Sequence, residues 1–382
     1  MSAVPDAATG RPHVTVDVSA VPAQPAGAGV YVLRLVEAIA AAGAVDLELV
    51  AAVGDSRRWQ MIAPQAPVHA VAPGRRPARL VWEQTQAPAL AQRLGGLWHG
   101  PHYTVPLRAV GPLVVTIHDL TFFDHPEWHE RTKVVYFRRM MRESVQRADV
   151  LVCVSEHTAN RLDAVLAPRA PVVVIPHGVD HRRFGTDEDQ DLQRLTALGV
   201  RPPFAVFTGT LEPRKNVPAL VRAVARLAPE HPELQLVLAG HWGWGGREVD
   251  AAVAGSGLGD RVRYLGYVDD ATLPALYRQA AAVAYPSLEE GFGLPALEAL
   301  ACGAAVVTTS GSAMEEIVDG AAVLVPPDDE DQLTEALEAL LADGPEVARL
   351  RAAGPAVAAP HTWDRCAERQ VAVYRQAFGE PG

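Results

Sequence analysis

The stretch YPSLEEGFGLPALEALACG, residues 285–303, decides how the chain is read. A strand closes at Tyr285 and Pro286, a glycine-bearing loop follows, and Pro295 fits the first turn of a helix, where its missing N–H is not needed. A helix start preceded by glycines suits an anion, because Gly291, Gly293 and the amides near Leu294 can approach and cradle a phosphate. Glu290 stands in the loop before this helix and Glu298 about one turn inside it. Carboxylates accept hydroxyl hydrogen bonds strongly, so the vicinal diol of a ribose or hexose is a natural partner. The plainer reading of Glu298 is a first-turn residue favoured by the helix dipole.

Upstream, TGTLEPRKNVPALVRAV, residues 208–224, repeats the order strand, turn, helix, with Arg214 and Lys215 in the turn. A planar fork beside a point charge suits a diphosphate. Basic turn residues are common, so it is their company with a phosphate-ready helix start that gives them weight. Working outward, β-branched runs alternate with Ala- and Leu-rich stretches, the pattern of parallel sheets covered by helices. Strands are expected at His13–Val18, Leu47–Val53, Leu113–His118, Val150–Ser155 and Val172–Pro176. A second series covers Phe204–Gly209, Leu234–Gly240, Val262–Gly266, Ala282–Pro286, Ala305–Thr309 and Ala321–Val325. Between them HGVDHRRFGTDEDQDLQRLTALGVRPP reads as a linker. Residues 363–378 read as an amphipathic helix with Cys366, Val371, Val373, Tyr374 and Phe378 on its apolar side.

A chain of 382 residues, 49% hydrophobic and 21% charged, is long enough for two globular domains. Its net charge of −11 is uneven: residues 1–185 hold 19 basic against 16 acidic side chains, and residues 186–382 hold 15 against 29, hence +3 and −14. An acidic chain is a poor general nucleic-acid binder, since that function draws on Lys and Arg. The basic run Arg131, Lys133, Arg138, Arg139, Arg142 and Arg147 reads as a solvated helix face, or as a surface for an anionic acceptor or membrane. Three scattered cysteines form no disulfide framework or metal site. The start, MSAVPDAATGRP, lacks a secretory pattern. The expected location is the cytoplasm, with membrane contact at most peripheral.

In the first half, PAGAG, residues 25–29, precedes a helix near Val30, and Gly27 and Gly29 serve close packing or a phosphate. His118 and Asp119 close an apolar strand and stand at its carboxyl edge. His99 and His102 lack the companions of a zinc site. The chain has no GxSxG elbow, Walker A loop or HExxH, and PAGAGVYV does not meet the dinucleotide fingerprint.

With these motifs in order, from VDVSAVPAQPAGAGVYVLRLVEAI through VVTIHDLTFFDHPEW, ADVLVCVSEHTANRL, VIPHGVD and TGTLEPRKN to the EX7E pair Glu290 and Glu298, the chain resembles family 4 glycosyltransferases, closest in look to bacterial mannosyltransferase-like members. The resemblance implies the α/β GT-B fold: two Rossmann-like domains whose parallel sheets face an interdomain cleft. Residues 1–185, with 363–382 crossing back, would form an acceptor domain and 186–362 a nucleotide-sugar donor domain. It implies a retaining hexosyl transfer from a GDP- or UDP-linked donor to a hydroxyl of a glycan, lipid or small molecule, with no cofactor and no bound metal. Glu298 would hold the ribose, and Glu290 and His118 the donor sugar. Arg214 and Lys215 would hold the diphosphate, with Phe292, Gly293, Leu294, Gly27 and Gly29 around it and Tyr267 and Val268 near the base. Many members carry arginine where this chain has Thr210, and Arg214 would supply that charge. The loops HGPHYTVPL and TFFDHPEWHE choose the acceptor, with His99, His102, Tyr103 and Asp119 as contacts. The alternatives are a phosphorylase or epimerase of the same architecture, or an inactive member serving as a partner subunit.

Overall fold

Every strand among the described residues pairs in parallel, so each connection must cross over the sheet, and helices cover the faces. The computed structural model describes residues 10–186 and 190–379. It divides into two compact units: the first runs to Gly178 and takes in the chain from Trp363 onward, and the second is Val179–Thr362. The first nine residues of the expected start, 187–189 of the charge run and 380–382 lie outside the described residues.

In the first unit β1 (His13–Asp17), β2 (Asp46–Ala52), β3 (Val68–Ala72), β4 (Leu97–Gly100), β5 (Leu113–Ile117), β6 (Val150–Cys153) and β7 (Val172–Val174) form one sheet in the order 3-2-1-4-5-6-7. Val14 pairs with Leu47 on one side and with Leu97 on the other. The order therefore reverses between β1 and β4. The sequence reading missed β3 and β4. LWHG is too short to show alternation, and VHAVA is an edge strand with only Ala72 fully covered.

The second sheet holds β8 (Phe204–Thr208), β9 (Gln235–Ala239), β10 (Val262–Gly266), β11 (Ala282–Tyr285), β12 (Val306–Thr309) and β13 (Val323–Val325), in the order 10-9-8-11-12-13. All six were expected: β8, β9, β11 and β12 are largely buried and read as continuous apolar segments, whereas β10 and β13 are the sheet's partly exposed edges. Here the reversal falls between β8 and β11. The two sheets and their helical cover give the two-domain α/β GT-B fold.

The segment read as a linker is partly structure. Asp191–Ala197 is helical, and the buried Asp191 carboxylate takes both prongs of Arg278, at 2.6 and 2.7 Å. Phe184 is buried with its ring 6.2 Å from Tyr277. Val179 bridges to Thr362, which places the division at Gly178 and Val179 rather than at 185. A polar run looks like a linker until its charges find partners.

The last helix, Trp363–Ala377, belongs to the first unit and packs on the helix Ala28–Ala42. Its apolar side is buried as the periodicity implied, except Phe378, which is half-buried. Tyr374 reaches the Nδ1 of His99 at 2.8 Å, the Nε2 of His99 meets the Thr116 hydroxyl at 2.9 Å, and that hydroxyl meets Tyr31 at 3.2 Å. His99 is fully buried with both ring nitrogens engaged, so it is a structural tie and not an acceptor contact. The basic run is also partly spent on packing: Arg138 donates to the carbonyls of Phe122 and Phe123, and Arg142 lies over the Phe123 ring at 5.1 Å. Among the described residues no helix is long and apolar enough to cross a membrane.

Tyr374→Phe should leave the His99 nitrogen unpaired in a dry site and destabilise the protein by about 1–3 kcal/mol. Urea unfolding measures this, and an unchanged midpoint would remove the tie from the account.

Candidate active site

The second unit's site grows from the ends of β8 and β11, the two strands flanking the reversal. After Thr208 the chain turns through Gly209 (φ 142°), and Gly240, after β9, lies against it with φ 135°. A Cβ on Gly240 would meet the Gly209 carbonyl oxygen at 2.1 Å, so only glycine permits this backbone contact. A short 3-10 turn, Pro213–Lys215, then presents both cations ahead of the helix Val217–Leu227. After β11, Gly293 takes φ 99° as N-cap of the helix Leu294–Ala301. The two loops are pinned by the Leu288 N–H donating to the Arg214 carbonyl at 2.8 Å.

This pinning brings Arg214, Lys215 and Glu290 together. Arg214 Nη1 donates to one Glu290 carboxylate oxygen at 2.7 Å and Lys215 Nζ donates to the other. Arg214 Nε also donates to Glu212 at 2.9 Å. Glu290 is only 7% exposed. Burial pushes its carboxyl up, but the Arg214 and Lys215 charges outweigh burial and hold it at about 2. Lys215 is pulled below the usual lysine range by burial and by Arg214, against the attraction of Glu290 and Glu212. The cluster has the charges to hold an anion and a carboxylate able to receive hydroxyls.

Glu298, half-buried on the wall of the helix, stands over three hydroxyls that the sequence reading missed. Tyr277 lies 3.5 Å from its carboxylate, 3.2 Å from the Tyr285 hydroxyl and 2.7 Å from Thr208, which also meets Tyr285. Burial raises both phenols, so they stay protonated and able to donate. Tyr285 sits in the decisive stretch, but its strand position gave no sign that its hydroxyl would meet Tyr277 from another helix. Of the other expected donor residues, Phe292 and Leu294 are buried, Thr210 and Val268 half-buried, and Tyr267 exposed, its ring 5.1 Å from His241.

In the first unit His118 is buried at the end of β5. Its Nε2 donates to the Pro101 carbonyl at 2.8 Å, which leaves Nδ1 as the acceptor side of a neutral ring. Burial lowers its basicity, opposed by that hydrogen bond and by Asp119. Gly27 (φ 50°) caps the helix Ala28–Ala42, whose first turn includes Gly29. Asp119 is drawn into local structure, accepting from the Thr121 N–H and hydroxyl at 3.1 and 2.7 Å and from the Tyr103 hydroxyl at 2.9 Å. The two expected acceptor contacts Tyr103 and Asp119 thus bind each other. Among the described residues no three His, Cys, Asp or Glu side chains converge to hold a metal ion.

Two parallel-sheet units, one with cations and carboxylates gathered at its strand reversal, fit the class of transferases acting on sugars. The chain matches the family described as Glycosyltransferase Family 4 over residues 25–183 and that described as Glycosyl transferases group 1 over 190–357, and it belongs to the family 4 glycosyltransferases. It is 32% identical over 303 residues to the O-antigen chain mannosyltransferase B of Escherichia coli, covering 78% of each chain. It is 34% identical over 289 residues to a D-inositol 3-phosphate glycosyltransferase of Actinosynnema mirum, covering 72% of this chain and 67% of that one. Anabaena HepE, solved in complex with UDP-glucose, superposes with a TM-score of 0.78 at 21% identity over 96% of this chain and all of that one. The protein is an enzyme that transfers sugars.

The depressed Glu290 pKa predicts a pH effect. Because its folded value, about 2, lies below its unfolded value, the ion cluster stabilises fully above about pH 5 and less as pH falls toward 2. Glu290→Gln should therefore show a shallower loss of stability between pH 5 and pH 3, measured by urea midpoints. Parallel profiles for the two proteins would contradict the ion cluster.

Proposed function

We propose that this enzyme moves a hexose from a UDP- or GDP-linked donor to an acceptor hydroxyl with retention and without a metal ion. The observation that carries the reading is the cluster of Arg214, Lys215 and Glu290 beside the helix start at Gly293. Two cations and helix-end amides supply the positive field that a departing diphosphate needs. In the free enzyme Glu290 neutralises part of that charge. A diphosphate arriving at the cations competes with it and turns its carboxylate to the sugar hydroxyls. Glu298 takes the ribose hydroxyls, steadied by Tyr277. The anomeric C–O bond to phosphate breaks, the acceptor oxygen bonds to the same face of that carbon, and its proton passes to the leaving phosphate oxygen. His118 and Glu290 orient the sugar, while Gly27, Gly29, Phe292, Gly293 and Leu294 border the phosphates. Tyr267 and Val268 lie toward the base, with Thr210 beside the donor.

Nucleotide titration tests these roles. Lys215→Ala and Arg214→Ala should each weaken UDP or GDP binding by about 1.5–3 kcal/mol, the loss of a charge-assisted hydrogen bond. Glu298→Gln should mainly raise the donor KM, because ribose contacts are alike in ground and transition states. Glu290→Gln should keep or tighten bare nucleotide binding, since it releases both cations, and should lower kcat. Loss of nucleotide binding in Glu290→Gln with retention in Glu298→Gln would reverse the assignment. A trapped covalent glycosyl-enzyme would exclude the front-face mechanism.

A further inference from the structure

The turn that leaves β4 is strained. Gly100 closes the strand, and the chain doubles back so tightly that a Cβ there would meet the Thr104 carbonyl oxygen at 2.1 Å. Tyr103 then takes φ 70°, in the left-handed region that a bulky side chain avoids. Of the seven non-glycine residues with positive φ among the described residues, it is the only aromatic one and the only buried one. Strain of this kind persists only where the surroundings fix it, and it gathers at sites with a task.

Three contacts from this turn converge on the end of β5. The Pro101 carbonyl accepts from His118 Nε2 at 2.8 Å. The Tyr103 ring stands edge-on to the imidazole, their centroids 5.4 Å apart at 77°. Its hydroxyl donates to Oδ2 of Asp119, the next residue, at 2.9 Å. The turn is tied to the strand that carries this histidine, because the Tyr103 N–H donates to the Thr116 carbonyl at 3.0 Å. Phe122 and Phe137 pack edge-on against the Tyr103 ring at 6.2 and 6.3 Å, and Tyr31 meets the imidazole at 5.1 Å and 78°. A proton moved from Nε2 to Nδ1 would set the Nε2 lone pair against the Pro101 carbonyl, acceptor facing acceptor.

We propose that Tyr103 is a positioning residue for His118: the strained turn holds the imidazole with its proton on Nε2 and presents Nδ1 as a fixed acceptor for a hydroxyl of the donor sugar. A neutral ring nitrogen accepts a hydroxyl hydrogen bond only while its partner nitrogen carries the proton, so fixing the tautomer fixes the role. An acceptor set in place beforehand need not be ordered during the reaction. The sugar contact rests on the transfer reading above, whereas the clamp stands on the geometry of the turn.

The test reads the imidazole directly. In protein carrying isotope-labelled histidine, nuclear magnetic resonance should show the His118 nitrogens, identified by their loss in His118→Gln, as one neutral tautomer protonated on Nε2 at neutral pH. Tyr103→Gly removes the ring and relaxes the turn, and should shift those signals toward a mixture of both tautomers. Its turnover of UDP-glucose or GDP-mannose, followed by nucleotide release, should fall about tenfold or more, while titrated UDP and GDP bind as in the wild type. Tyr103→Phe retains the ring and should keep the tautomer and most of the turnover. Circular dichroism establishes that the variants fold, and Tyr103→Leu repeats the arm if Tyr103→Gly does not. A wild-type His118 protonated on Nδ1, an unchanged tautomer once the ring is removed, or a loss of nucleotide binding equal to the loss of turnover overturns the proposal. If the wild type turns over neither donor, the transfer reading fails for both, and the nitrogen signals still decide the clamp.

Discussion

A parallel strand cannot turn directly into its neighbour, and the crossover that joins them must pass over one face or the other. Where crossovers leave a sheet in opposite directions, the carboxyl ends of two adjacent strands stay uncovered by either. That geometric constraint occurs twice here, between β1 and β4 and between β8 and β11. Both concentrations of polar chemistry stand at those points. At the first are Asp17, Glu83, His102, Arg76 and Arg79, and at the second Arg214, Lys215, Glu290 and Glu298. The strand interiors beneath them are dry, which is why charges gather at the ends.

The two sites balance their charges differently. In the second unit the carboxylate of Glu290 is locked between two cations, so none of these three buried charges is left uncompensated. In the first unit Asp17 and Glu83 line one cavity with Arg76 and Arg79, form no ion pair with them, and are both shifted upward by burial instead. Desolvation is thus met by pairing in one unit and by a raised carboxyl pKa in the other. The hydroxyl network under Glu298 adds a third solution, in which protonated phenols donate without carrying charge.

Much of this was legible in the residues. All six strands of the second sheet, the strand–turn–helix order around Arg214 and Lys215, the glycine-capped helix that carries Glu298 and the amphipathic final helix follow from apolar runs, turn residues and periodicity, which are local properties. The sequence alone placed Glu290 ahead of a helix and two cations in a turn. It could not show that one carboxylate grips both, because residues 75 and 76 apart meet only when β8 and β11 lie side by side. Nor could it separate His99 from His102. Both stand near the end of one strand, yet packing by Tyr374 and Thr116 consumes both nitrogens of the first and leaves one nitrogen of the second open. Strands as short as β4, the helix Asp191–Ala197 and the cavity walled by Arg76 and Arg79 likewise depend on long-range partners. Local pattern determined which segments are strands and helices, and only tertiary contact decided which polar groups are spent on structure and which face a ligand.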